Sequence, residues 1–221
     1  MTPAGVIAEV RNLVQDSIAP LRYTDGVMLG FVNQTIQSIA MMRPDLFGSI
    51  QDIPTQTGSA VQALPADALR LIDIFQVKNG NSVTEVDRET MNRNAPEWMN
   101  ATAGSPVNFM RHVKNEDRFF LYPPPSAGVV LVGEYAVAPP SYTINETITA
   151  PSATFFPAVV AGVVFLSQSI DDEHVNSNRA KLFYDLFVQQ LGVSLKNREL
   201  TDTKMAGFKP SPVQTNLGEV I

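Results

Sequence analysis

Apolar residues at the start of the chain recur every three or four positions. From Pro3, a residue suited to a first helical turn, Val6, Ile7, Val10, Leu13 and Val14 form one stripe, which predicts an amphipathic helix ending by Pro20. Thr24 and Asp25 supply an N-cap and a first-turn acid for a second helix. Its stripe of Met28, Leu29, Val32, Ile36 and Ile39 runs until Pro44 forbids continuation. The two form a helical hairpin. From 48 to 151 the period shortens, and Pro, Gly and Asn recur between apolar runs, as in strands joined by turns. The runs are 68–77, 107–113, 119–122 and 129–137. Lys114-Asn115-Glu116-Asp117 reads as a hairpin connection and Asn79-Gly80-Asn81 as a second turn. The stretch 87–100, with Trp98 after Pro96, reads as a short helical turn.

Helical periodicity returns after Ser152. Phe155, Phe156, Val159, Val160, Val163, Val164, Phe165 and Leu166 make this segment apolar on nearly every side. It is too short to span a bilayer and is soon followed by Asp171-Asp172-Glu173, so it is expected to be a central helix packed all round. Ala180, Phe183, Leu186, Phe187 and Leu191 mark a last helix, with Gly192 near its end. Two prolines and a glycine between Gly207 and Pro212 exclude a helix or central strand there. The expected fold is α+β. Each terminal helix pair has a stripe in need of a partner, so residues 1–47 and 152–200 should form one bundle, with 48–151 an inserted β-rich domain and 201–221 an extended arm.

Composition narrows the function. A hydrophobic share of 44% with near-zero mean hydropathy suits a soluble globular chain. A net charge of −6 argues against gripping phosphate backbones by bulk charge. Cysteine is absent, which removes disulfides and thiol chemistry, and no basic-then-apolar leader precedes Val10, so synthesis in a cytoplasm is the expectation. The chain has two histidines and no glycine-rich phosphate loop.

Three groups of residues invite a chemical reading. Asp171, Asp172 and Glu173 could hold a metal with His174, but no second histidine stands three or four positions away; they read better as acids capping the last helix. His112 reads as a surface or ladder residue of a strand. Trp98 and Tyr122 could offer a stacking platform for sugars, the basis of an alternative reading as a glycan- or receptor-binding module. A lone tryptophan beside prolines more commonly anchors a small β core. A hydrolase using acidic residues has the least support. No catalytic, cofactor or metal site is expected.

One set of residues taken in order resembles a known family. Arg22-Tyr23-Thr24-Asp25 opens a helix and Arg43-Pro44-Asp45 closes it. Leu64-Pro65, Val86-Asp87-Arg88, Pro96-Glu97-Trp98 and Phe119-Phe120-Leu121-Tyr122-Pro123-Pro124-Pro125 follow, then Asp171-Asp172, Asn178-Arg179-Ala180, Phe187 and Leu191-Gly192. Over residues 8–195 this order resembles phage adaptor proteins of the head-to-tail connector, and the tail tubular adaptors of short-tailed phages. The resemblance implies a structural part of the virion, assembled in the host cytoplasm, with no catalytic residues and no cofactor. It implies a ring of twelve copies below the portal protein, contacting neighbouring copies and tail nozzle or tube proteins. DNA would pass through without sequence-specific binding, and no membrane is involved. In such a ring the arm would reach the portal or the adjacent copy. Its anchors are Met205, Phe208, Val213, Leu217, Val220 and Ile221, spaced among polar residues, glycines and prolines.

Overall fold

A computed structural model describes residues 1–19, 21–170 and 177–192. The first helix, α1 (Pro3–Val14), begins where Thr2 Oγ1 accepts the Gly5 N–H at 3.3 Å. It ends several residues before Pro20, because Gln15 turns left-handed (φ 60°) and its N–H closes onto the carbonyls of Arg11 and Asn12. Thr24 caps α2 (Asp25–Met42) as expected, through a 3.4 Å bond from the Val27 N–H. A single 3₁₀ turn, Pro44–Phe47, leads from α2 into the strands.

Among the described residues, seven strands form two sheets. Strands β1 (Gly48–Pro54), β3 (Ala68–Val77) and β7 (Val130–Val137) make an antiparallel sheet in the order β1-β7-β3. Strands β2 (Val61–Ala63), β4 (Thr84–Glu85), β5 (Asn108–Arg111) and β6 (Arg118–Tyr122) make the second, in the order β2-β6-β5-β4. Gly133 lies in the middle of the first sheet, opposite Gln51 and Ile74. A Cβ there would stand 2.7 Å from the Asp73 carbonyl and 2.9 Å from Ile53 Cδ1, so a side chain would force the strands apart. Ile53, Leu71, Ile74, Phe109, Phe119, Leu121, Leu131 and Tyr135 fill a core to which both sheets contribute. Arg111 bridges the sheets by bonding Glu85 and the carbonyls of Leu71 and Ile72. The expected turn in 87–100 is a helix, α3 (Arg88–Asn94), capped by Asp87, followed by a 3₁₀ turn at Trp98–Asn100.

The remaining helices are α4 (Phe156–Ser169) and α5 (Ser177–Gln190). Helix α4 packs against α1, α2 and α5, and Val159, Val160, Val163 and Val164 are all buried in one core with Val6, Val10, Met28, Val32, Ile36, Ile39 and Phe187. Gly162 sets the closeness of this packing, because a Cβ would meet Thr35 Cγ2 at 2.5 Å and Phe187 Cε2 at 3.0 Å. The segment between β7 and α4 also joins the helices. Tyr142 and Ile148 are buried in the helical core, Asn33 bonds the Tyr142 backbone twice, and the N–H groups of Ala4 and Ile148 donate to the carbonyls of Ile144 and Met1.

Candidate assembly surfaces

Two ends of the helix set, and one open sheet edge, combine the motif residues with exposed surface. At the first end the α1–α2 connection is stitched by Arg11. Its guanidinium, with a side chain only 10% exposed, bonds Asp16 and Asp25 at 2.7 Å each and the Tyr23 carbonyl at 2.8 Å. Asp16 in turn accepts the Arg22 N–H at 2.7 Å. Tyr23 reaches across to donate to the Ser167 carbonyl at 2.9 Å, and Arg179 of α5 donates to the Leu13 carbonyl at 2.6 Å. The buried arginine is tolerated because its guanidinium is paired with two carboxylates and a backbone carbonyl. Ile18 (83% exposed), Leu21 and Ile170 stand out from this end.

The opposite end is built on Arg43-Pro44-Asp45. Arg43 binds the Asp45 carboxylate through Nε at 2.8 Å and Nη2 at 2.7 Å, and its Nη1 donates to the carbonyl of Leu191. This fork raises the Arg43 pKa and holds Asp45 below its ordinary value, the hydrogen bonds between them outweighing partial burial. The clasp therefore joins the corner where α2 turns into β1 to the end of α5, where residues 193–221 leave the described part of the chain.

The third feature is strand β1. It is an edge of its sheet, and five of its seven residues are exposed, Ile50 at 64%. The other outer strand, β3, is partly covered: the Leu71 and Ile72 carbonyls accept from Arg111, and the Leu71 N–H donates to Glu116.

The chemical candidates fall elsewhere. Trp98 is 4% exposed, packs edge-on to Phe120 at 5.5 Å, and donates Nε1–H to Asn92 at 2.8 Å. Tyr122 is half-buried against the same cluster, so the two rings make a core and no stacking platform. His112 lies just past β5 and not in the strand: its Nδ1 accepts the N–H groups of Lys114 and Asn115, and it stacks on Phe120. Asp171, Asp172, Glu173 and His174 lie outside the described residues, as do Met205, Phe208, Val213, Leu217, Val220 and Ile221. Among the described residues no group of three or more potential ligands could hold a metal ion, and no helix is long and apolar enough to cross a membrane.

Residues 1–212 match the SU10 adaptor protein family. The chain belongs to that family. No curated protein matches it. Among solved structures, a chain titled as the neck of an empty GTA particle computed with C6 symmetry aligns over 83% of this adaptor and 91% of its own length, at 14% identity and a TM-score of 0.29. Adaptors are structural proteins and not a class of enzyme.

The motifs behind the resemblance have definite mechanical roles in this adaptor. Thr24 caps α2 and Asp25 receives Arg11, while Arg43 and Asp45 close the other end of the same helix. In Tyr122-Pro123-Pro124-Pro125 the prolines have no N–H to give, and the backbone pairs through carbonyls instead: Tyr122, Pro124 and Pro125 accept from Val107, Gly104 and Gly58 at 2.8–2.9 Å. Arg11 is not among the motif residues that carry the resemblance. A charged residue four positions after Ile7, inside an apolar stripe, was the available signal for Arg11.

Proposed function

We propose that this adaptor forms a ring, of twelve copies, in the neck of a phage particle, below the portal and above the tail nozzle or tube, with DNA passing through its centre. The observation that supports this most is the family match across residues 1–212, which includes the start of the C-terminal arm. In this reading residues 1–47 and 152–200 act as one rigid bundle, 48–151 as an inserted β-rich domain, and 201–221 as the arm that reaches the portal or adjacent copy. Met205, Phe208, Val213, Leu217, Val220 and Ile221 supply the anchors.

The physical logic is that a ring protomer must meet a neighbour on each of two sides, through different patches, around a closing rotation. A helix set locked at both ends by Arg11 and Arg43 suits that task, because a rigid block transmits a fixed angle from one contact to the next. The net charge of −6 favours DNA sliding past over DNA held in place. The site of action is then the virion, after assembly in the host cytoplasm.

Mass photometry and negative-stain imaging of the purified chain, alone and with the portal of the same phage, test the reading. Twelve-membered rings, alone or templated on the portal, are the expected result. Discrete trimers that bind glycans, with no ring under either condition, would overturn it.

A further inference from the structure

Strand β1 pairs with β7 on one side only. Val130 turns its carbonyl toward Lys78 on the β3 side, so at the matching position Pro54 points its backbone away from β7. Alternation along the strand then directs Ile50 and Asp52 outward as well. Among the described residues no hydrogen bond outside the strand ladder engages the Ile50 or Asp52 N–H, and Gly48 uses its own N–H to close the preceding turn onto Asp45. The result is an unpaired backbone edge with Ile50 exposed beside it. Such edges are normally blunted, covered or used to recruit a strand.

We propose that the β1 edge receives residues 213–217 of a neighbouring copy as an added strand. This rests on the ring reading above, in which copies stand side by side, and it names the surface where an arm docks. Two observations select the occupant. Val213-Gln214-Thr215-Asn216-Leu217 is free of proline, and as a strand it would put Val213, the β-branched Thr215 and Leu217 on one face and Gln214 and Asn216 on the other, which suits a strand with one face turned to protein. The arm also starts at the right place and has the right length. Gly192 sits beside Arg43, five residues before β1, so an exit point and a receiving edge lie close together on every copy. The twenty residues 193–212 span up to roughly 65 Å when extended. A compact chain of this size has a radius of gyration of only about 17 Å. That reach is slack for a chain folding back on its own β1 and sufficient to cross to the next protomer. Backbone bonds to Ile50 and Asp52 would provide the pairing, and Ile50 would gain an apolar neighbour.

The absence of native cysteine allows a direct test in the full chain. One population carries Ile50→Cys; the other carries Gln214→Cys, Thr215→Cys or Asn216→Cys. The two are mixed across a concentration series and oxidised, with Val113→Cys, more exposed than Ile50 and on the β5–β6 hairpin, as the off-edge control. Paired strands bring Cα atoms within disulfide range. The expected result is a mixed disulfide between Ile50→Cys and at least one arm position and none with Val113→Cys. Hydrogen exchange on the unmodified chain should show the Ile50 and Asp52 amides slowing on the order of tenfold or more on self-association. Fast exchange at both amides in assembled rings, or crosslinks that form only within a chain carrying both cysteines, would overturn the proposal while leaving the ring reading standing. Edge crosslinks between copies that form no ring would do the reverse.

Discussion

Arg43 and Asp45, separated only by a proline, face each other as a fork: Nε to Oδ1 at 2.8 Å and Nη2 to Oδ2 at 2.7 Å. The intervening Pro44 starts the 3₁₀ turn and so fixes the short reach between them. The third nitrogen of the guanidinium is left for the Leu191 carbonyl. One side chain thus couples the α2–β1 corner to the end of α5, using a bidentate geometry that lysine cannot reproduce.

Replacing Arg43 with Lys should therefore lose part of the clasp and Arg43→Met all of it. Because both side chains are partly exposed, the loss in Arg43→Met should be modest, about 1 kcal/mol. Urea unfolding of the two variants beside the native chain reads the difference. Equal midpoints for all three would mean that the fork makes no net contribution.

The same pair predicts a dependence on acid. Asp45 is held below its ordinary value of 3.8 in the folded chain, chiefly by the hydrogen bonds from Arg43. A depressed carboxylate stabilises the fold above its unfolded pKa, and that contribution is lost as pH falls through the lower, folded value. Asp45→Asn should be less stable than the native chain near neutrality, and the gap should close below pH 3.8 as the native carboxylate protonates. Thermal melts of both chains between neutrality and the acid limit of folding provide the comparison; a gap that does not change with pH would contradict the assignment.

Val163 is fully buried at the centre of the helix set, and Gly162 beside it admits Thr35 and Phe187 at close range. Val163→Asp or Val164→Asp should abolish folding or assembly, since an unpaired carboxylate in this core costs several kcal/mol, on the order of 4. Gly162→Ala should be milder, about 1–3 kcal/mol from overpacking. Circular dichroism and solubility decide the first pair and denaturant unfolding the second. A soluble, native-like Val163→Asp chain would mean that this face is not part of the core.

Trp98→Ala should destabilise the β-rich part by about 3–5 kcal/mol, as expected when a large buried ring is removed. Glycan arrays on the native chain should stay blank at this site, because the ring is covered by Met91, Met110 and Phe120. Binding lost specifically in a folded Trp98→Phe variant would revive the sugar-platform reading.

The helices were legible in the sequence because their signals are local. Thr24, Pro3 and Pro44 mark ends by backbone chemistry that needs no tertiary context, and the nearly all-apolar α4 announces a buried helix. The long strands β3 and β7 were legible for the same reason. Strand β1 was not: Gly48-Ser49-Ile50-Gln51-Asp52-Ile53-Pro54 contains only two large apolar residues, and it is a strand because β7 offers it a partner. The reach of Arg43 to Leu191, across 148 positions of sequence, is equally invisible to any periodicity. The run 107–113 predicts a strand through His112, whereas the ring nitrogen of His112 accepts from the turn that follows β5 and the strand ends at Arg111.

The central claim is that this adaptor joins a ring on the portal and that its C-terminal arm, by reaching the portal or the adjacent copy, is what holds it there. Co-sedimentation of the full chain and of a chain lacking residues 201–221 with the portal ring of the same phage tests it most directly, with circular dichroism to establish that both are folded. The account predicts that the full chain pellets with the portal in near-stoichiometric amount, while the shortened chain remains folded, soluble and in the supernatant. Undiminished attachment of the shortened chain, or no attachment of the full chain, would contradict it.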